Sequence, residues 1–256
     1  MLSELFLSAY HPPTLAADPE ASHVRADTDR RVDDPRLDPL AEAAAATGVT
    51  VVLGAAVEHP DGRRTCSSLV VDPGGTVVAA YDKQNLWGPH ERALFAPGDR
   101  GATLELDGWR LGLGVCYDGC FPEHGRAAAL DGVDGYLCPS AYLVGSEHRR
   151  DLYYAARALD NTMYVVYANA VGPAGDLRFN GGAAVYDPEG RPLVRAPDAG
   201  EAVVVATAGK TVLARVRRGH TMLVDRPLDA GAPRRLVRSG KPVAPPAAAG
   251  QAGPVV

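Results

Sequence analysis

Several things are scarce in this chain of 256 residues, and each scarcity excludes a class of protein. Cysteine occurs four times, as Cys66, Cys116, Cys120 and Cys138, with no Cys-x-x-Cys pair. That is too few for a disulfide scaffold and the wrong spacing for a zinc ribbon. Long apolar runs are missing too. The longest stretches free of Asp, Glu, Lys and Arg, such as Ala43 to Val57, reach fifteen residues, too short to span a bilayer. The amino terminus has no basic n-region, Glu4 interrupts its apolar residues, and His11-Pro12-Pro13 comes next, so no export signal is read there. A cytoplasmic protein with reduced thiols is expected. There is no excess of positive charge: 26 Lys and Arg stand against 31 Asp and Glu. A net charge of −5 without a basic run argues against wrapping nucleic acid or lying on anionic lipid.

What is present is ordinary globular composition, 46% hydrophobic and 22% charged, with 28 Gly and 21 Pro to supply turns. Residues 12–36, rich in Pro, Asp and Arg, read as a long surface loop. Leu37 to Thr47 reads as a helix stopped by Gly48. The β-branched run Val49 to Glu58 reads as a buried strand. Cys66 to Val71 and Val77 to Tyr81 flank Asp72-Pro73-Gly74-Gly75 as a hairpin. Trp109 to Val115 is a strand that runs into Cys116, followed by a helix over Pro122 to Leu130 and a strand over Gly135 to Cys138. His148 to Asn161 is expected as a helix with Leu152, Ala155, Ala156 and Leu159 at helical spacing. Met163 to Ala168 is a strand, and Ala183 to Asp187 with Pro192 to Arg195 is a second hairpin around Pro188-Glu189-Gly190. A further strand over Glu201 to Thr207 and a short helix over Lys210 to Arg218 complete the pattern. Alternating strands and helices between hairpins predict an α/β layered fold with a mixed sheet. One domain over residues 1–240 is expected, followed by a Pro/Ala/Gly tail over 241–256.

The sharpest local signal is Gly112-Leu113-Gly114-Val115-Cys116-Tyr117-Asp118-Gly119. A cysteine at a strand end, entering a helix through a tight turn, is a nucleophile elbow with sulfur in place of oxygen. The helix N-terminus is expected to lower its thiol pKa. Cys66, Cys120 and Cys138 are expected to be small buried apolar residues instead.

The run Val115 to Glu123 (VCYDGCFPE) resembles the nucleophile segment of the carbon–nitrogen hydrolases, the nitrilase superfamily. Tyr81 to Trp87 (YDKQNLW) resembles that family's lysine motif, and Glu91 to Asp99 (ERALFAPGD) the segment after it. Ser3 to Tyr10 (SELFLSAY) is similar to the glutamate motif, with Ser3 where the family usually has Pro and Ala9 where it has Gly. Arg157 to Asn161, Asn169-x-x-Gly172 and Gly182 to Gly190 match later landmarks. The resemblance runs from residue 3 to about residue 226, with Glu, Lys and Cys in the family's order.

The resemblance implies a four-layer α-β-β-α sandwich and a Glu4–Lys83–Cys116 triad. Cys116 would attack an amide carbonyl, Glu4 would shuttle the proton, and Lys83 with the Tyr117 N–H would hold the oxyanion. Glu91 resembles a second family carboxylate beside the triad. Asp118, Glu123, Arg157 and Asn161 match motif positions and are read as structural. Trp87, His90, Tyr142 and His148 are candidate substrate contacts. No metal or organic cofactor is implied, because side chains and water close the mechanism. Nitrilases typically carry Cys-Trp-Glu where Cys116-Tyr117-Asp118 stands here. The expected reaction is therefore hydrolysis of a small linear amide or N-carbamoyl compound, with a nitrile as the alternative substrate. The expected assembly is a homodimer or larger. A glutamine amidotransferase would need His-x-Glu after the cysteine, and none occurs. An inert scaffold descended from a hydrolase is the reading from another class.

The family places a strand, a helix and a second strand before its glutamate, where this sequence has three residues. The expected fold therefore lacks the first strand and helix. With no strand to hold it, Glu4 is expected to fray, leaving this form poorly soluble or nearly inactive.

Overall fold

In the computed structural model, residues 1–226 and Val237 are described. Two short helices, α1 (Pro12–Ala17) and α2 (Pro19–Ser22), lead into strand β1 (His23–Arg25), and helix α3 (Asp38–Thr47) comes after a 3₁₀ turn. Strands β2 (Val51–Glu58), β3 (Arg64–Val71) and β4 (Val77–Asp82) come next, then helix α4 (Gly88–Leu94). Strands β5 (Ala102–Leu106) and β6 (Trp109–Leu113) precede α5 (Pro122–Leu130), β7 (Gly135–Ser140), α6 (Glu147–Asn161) and β8 (Tyr164–Asn169). Hairpin β9 (Val171–Ala174) and β10 (Leu177–Asn180), strands β11 (Ala184–Tyr186) and β12 (Pro192–Arg195), and helices α7 (Lys210–Gly219) and α8 (Met222–Asp225) finish the order.

The strands build two mixed sheets, β1-β2-β3-β4 and β12-β11-β8-β7-β6-β5. In the second, β6, β7 and β8 run parallel and their outer neighbours antiparallel. Period-two alternation decides what each face meets. On β2, Leu53, Ala55 and Val57 pack with Leu69, Val71 and Ala79 against Leu37 and Ala44 at helix α3. The opposite face presents Val52 and Ala56, which join Cys66, Val70 and Tyr81 against Leu113, Val115 and Leu137 of the second sheet. The far side of that sheet carries Tyr136, Cys138, Val165 and Tyr167 against Ala129 of α5 and Tyr154 and Ala158 of α6. The result is the α-β-β-α sandwich. Helix α3 stops where expected, at Gly48 with φ of +71°, a conformation that glycine adopts without a Cβ clash.

Four expectations are corrected. Residues 12–36 are not a bare loop: prolines start α1 and α2, and Leu15 and Val24 are buried. Glu201 to Thr207 is not a strand. Val203 and Val205 are exposed, and among the described residues no strand pairs with the segment, so β propensity has no ladder to join. On α6 the apolar spacing misidentifies the inner face. Leu152 and Leu159 are exposed, while Arg150, Tyr154, Arg157, Ala158 and Asn161 are buried, with Arg150 bonded to Asn180 and Asn161 to the Arg157 carbonyl. Lastly, residues 1–6 are anchored rather than frayed. The Leu2 N–H donates to the Val52 carbonyl, Gly54 N–H to Ser3, Phe6 N–H to Gly54 and Glu4 N–H to Ser140. This segment lies across β2 and touches the end of β7, so both sheets hold it. Strands β5, β9 and β10 and helix α4 carry no signal that the sequence reading picked out. The residues up to Asp225 form one compact unit, and the Pro/Ala/Gly tail lies outside the described residues. No helix among the described residues is long and apolar enough to cross a membrane.

Candidate active site

Glu4, Lys83, Glu91 and Cys116 come from four separate places and meet at the seam between the sheets. Glu4 arrives on the anchored segment and is buried. Its close approach to β2 depends on Gly54, where a Cβ would stand 2.5 Å from the Glu4 Cα. Lys83 comes directly after β4 and is pinned by its own N–H to the Cys66 carbonyl and by Gly98 N–H to its carbonyl, each at 2.8 Å. Glu91 sits in the first turn of α4, where Oε2 accepts the Trp87 N–H at 2.7 Å.

Cys116 lies three residues beyond the end of β6. Its φ of +45° is a left-handed conformation that a residue with a Cβ adopts only when its surroundings impose it. Asp118 imposes it here. Its Oδ2 accepts the Val115 N–H at 3.0 Å and the Tyr81 hydroxyl at 2.7 Å, and Oδ1 accepts two N–H groups of Asn85. The buried carboxylate therefore locks the Cys116 turn to the loop carrying Lys83. The cysteine opens a single 3₁₀ turn over Cys116–Cys120, not a long helix.

The Lys83 Nζ donates to Glu4 Oε1 at 2.7 Å and to Glu91 at 2.8 Å, and all three side chains are almost wholly buried. Tyr10 donates its hydroxyl to Glu91 Oε1 at 2.5 Å. Burial by itself lowers the lysine pKa, but Glu4 and Glu91 outweigh it and hold the ammonium well above its ordinary value. Burial and then the Glu91 charge, opposed by Lys83, push Glu4 up to about 7. Burial, with the Glu4 charge beside it, raises the Cys116 thiol well above its usual value. The expected lowering by a helix N-terminus does not occur, since a single 3₁₀ turn offers little dipole and desolvation dominates. At rest the sulfur is a thiol next to a carboxylate with a proton affinity near neutrality. The Glu4 carboxylate is within reach of that thiol, and its Oε2 has no other donor among the described residues. The Ala141 N–H also points to the Cys116 sulfur.

A cavity of about 160 Å³ opens onto this sulfur. Cys116, Tyr117, Ala141, Leu143 and Glu91 line it, with Tyr10, Trp87, Tyr142 and Tyr153 as aromatic walls. Trp87 and Tyr142, expected as substrate contacts, are among these. His90 and His148, also expected, are exposed and do not line it. Arg149 lies next to His148 and does line it, as do Ser146 and Cys120. Sequence reasoning missed Ser146, Arg149 and Tyr153, although their spacing of three and four marks one face of α6. Cys120 departs from its expected burial, with Sγ 3.2 Å from the Tyr142 hydroxyl at the wall. Cys66 and Cys138 are buried as expected. A larger, open cleft of about 590 Å³ runs beside residues 1–10, but neither Lys83 nor Cys116 faces it. Among the described residues, no group of three or more His, Cys, Asp or Glu is arranged to hold a metal ion.

A two-sheet sandwich with a thiol, two carboxylates and an ammonium at its seam is the architecture of a nitrilase-type protein. The carbon–nitrogen hydrolase family matches residues 1–218, and the chain belongs to that family, on its amidase-like side. An (R)-stereoselective amidase from a Pseudomonas species is 38% identical over 195 residues, covering 75% of this chain and 69% of the relative. The NitN amidase of Nesterenkonia sp. AN1 superposes with a TM-score of 0.70 at 32% identity, covering 85% of this chain and 84% of that one. A variant of the same Nesterenkonia amidase shows covalent addition of the acetamide moiety of fluoroacetamide at its active-site cysteine. It superposes with a TM-score of 0.67 at 32% identity, over 77% of this chain and 72% of that one.

Proposed function

We propose that this protein is an amidase that cleaves the C–N bond of small linear amides through a Cys116 thioester and releases ammonia. The observation that carries this reading is the buried Glu4–Lys83–Glu91 group set against Cys116, on a strained turn that lines a small cavity. Holding three ionisable side chains out of water costs stability, and such costly clusters are concentrated at functional sites.

In the first half, the Cys116 sulfur bonds to the amide carbon as its proton passes to Glu4. The carbonyl oxygen becomes an oxyanion facing the Lys83 ammonium and the Tyr117 N–H. Collapse breaks the C–N bond, and Glu4 returns the proton to the nitrogen, which leaves as ammonia. In the second half, Glu4 takes a proton from water and the hydroxide adds to the thioester. The C–S bond then breaks, and the proton returns to sulfur as the acid departs. Each oxyanion donor contributes about 2.7–4 kcal/mol to lowering the barrier. Glu91 holds Lys83 in place, and Tyr10 holds Glu91. A Glu4 pKa of about 7 suits a group that must both take and give a proton near neutral pH.

The covalent adduct in the Nesterenkonia relative supports a cysteine nucleophile. The modest cavity supports a short acyl group. Cys116-Tyr117-Asp118 supports amides over nitriles. The test is an ammonia-release screen over linear amides, ω-amides, N-carbamoyl amino acids and nitriles, with Cys116→Ala as control. The intact protein, quenched during turnover, should gain the mass of the acyl group. Faster release from nitriles than from the matching amides, or turnover that survives Cys116→Ala, would overturn the reading.

A further inference from the structure

Behind the Cys116 turn lies a chain of hydrogen bonds that the chemistry above does not use. His124, in the first turn of α5, stands edge-to-face between Tyr81 of β4 and Tyr136 of β7, with ring centroids 5.8 and 5.7 Å away. Its Nε2 is 2.8 Å from the Tyr81 hydroxyl, and its Nδ1 is 2.9 Å from the Tyr136 hydroxyl. The proton positions follow by elimination. Tyr81 gives its one hydroxyl proton to the Asp118 carboxylate at 2.7 Å, and its oxygen already accepts the Gln84 N–H at 3.2 Å. Towards His124 that oxygen can only accept, so Nε2 carries the ring proton. Burial lowers the His124 pKa against the pull of the Asp118 charge, so the ring is neutral near neutral pH and Nδ1 accepts from Tyr136. All the bonds run one way, from Tyr136 through His124 and Tyr81 to Asp118.

We propose that His124, as the Nε2–H tautomer, is a positioning residue that clamps the Cys116 turn from behind. The proposal rests on the amidase reading for its effect on rate and adds a residue that touches neither substrate nor sulfur. At one end of the chain, the Tyr136 hydroxyl fills the space where Gly114 lacks a side chain, and a Cβ there would overlap it. At the other end, Asp118 accepts the Val115 N–H at 3.0 Å. Gly114 and Val115 are the two residues before Cys116, whose φ of +45° persists only while its neighbours are held. Aligned donors in a buried site strengthen one another, so the His124 proton reinforces the Tyr81–Asp118 bond. Phenylalanine at this position keeps a flat ring and loses both the donor and the acceptor. The Tyr136 hydroxyl then has no acceptor on the ring and the Tyr81 oxygen loses a donor. The turn relaxes, and Cys116 and the Tyr117 N–H move together.

Nitrogen-15 NMR of the histidine-labelled wild-type protein, near neutral pH, should show His124 with its proton on Nε2. Iodoacetamide should alkylate Cys116 about tenfold more slowly in folded His124→Phe than in the wild type, read by peptide mass at low conversion. The kcat for small amides should fall by about the same factor with KM changed less than about twofold, a split that lost stability alone does not produce. Tyr136→Phe should slow the same two reactions by itself and add nothing in the His124→Phe background, because both residues act along one chain. An Nδ1–H tautomer in the wild type overturns the proposal whether or not His124→Phe folds. Alkylation of Cys116 within about twofold of the wild-type rate in folded His124→Phe overturns it too, as do losses from the two variants that simply add. A wild-type protein that releases no ammonia refutes the amidase reading alone, since the tautomer and the alkylation rate still report on His124.

Discussion

A single methyl group placed against the backbone of Glu4 should disable the proposed base. Gly54 lies in the middle of β2, and the segment carrying Glu4 crosses directly over it. A Cβ added there would sit 2.5 Å from the Glu4 Cα, 2.6 Å from the Leu5 nitrogen and 2.9 Å from the Glu4 carbonyl carbon. These are backbone atoms, so no side-chain rotation relieves the overlap. Reaching ordinary contact at 3.4 Å requires an opening of 3.4 − 2.5 = 0.9 Å. The hydrogen bonds of Gly54 N–H to Ser3 at 2.9 Å and of Phe6 N–H to Gly54 at 2.8 Å resist that opening and carry the displacement into Glu4. Overpacking of this kind destabilises by about 1–3 kcal/mol. A misplacement near 1 Å at a reacting group lowers the rate by about 10²-fold. Gly54→Ala should therefore fold with a melting temperature lowered by several degrees and show a kcat about a hundredfold down. The pre-steady-state burst of ammonia should slow in parallel, since acylation needs Glu4. Gly101→Ala, whose Cβ meets nothing within 4 Å, is the silent control. If Gly54→Ala folds and keeps kcat within about threefold of wild type, Glu4 is not positioned by this crossing.

The same geometry gives three further expected outcomes. In the proposed mechanism Glu4 must be unprotonated to accept the thiol proton, so kcat/KM should fall as pH drops through about 7. That apparent value belongs to the coupled Glu4–Lys83–Glu91 group, and a limb near the usual carboxylate value of 4.5 would contradict the burial argument. Lys83→Met leaves two buried carboxylates without their cation and removes a proposed oxyanion donor. It should lower kcat by about 10²–10³ with a smaller change in KM, and a pure KM effect would remove Lys83 from the oxyanion. Ala9 has φ of +56° and an exposed side chain, so Ala9→Gly should relieve left-handed strain at little loss of packing. After the entropy that glycine adds to the unfolded chain, the expected gain is roughly 0.5 kcal/mol, or one to two degrees by thermal melt. A lowered melting temperature would show that the alanine methyl does more than its exposure suggests.

Residue types in order along the chain were enough to point to a family. Glu4, Lys83, Glu91 and Cys116 were legible because each lies in a short motif whose chemistry is local. Strands β2, β3 and β4 were legible because β-branched alternation and a Gly-rich turn act over a few residues. Tertiary contacts decided the rest. Residues 12–36 contain helices because Leu15 and Val24 find a core to enter, and Val203 and Val205 stay outside because no ladder receives them among the described residues. The buried face of α6 is lined with Arg150, Arg157 and Asn161, against the apolar spacing, because polar groups can go inside once partners such as Asn180 meet them. The same rotation brings Arg149 to the cavity and leaves His148 out, a difference of one residue that no composition rule detects. The thiol pKa moved opposite to the local expectation for the same reason. A turn predicts a dipole, but how much water is removed, and which charges remain beside the sulfur, depend on segments more than a hundred residues apart.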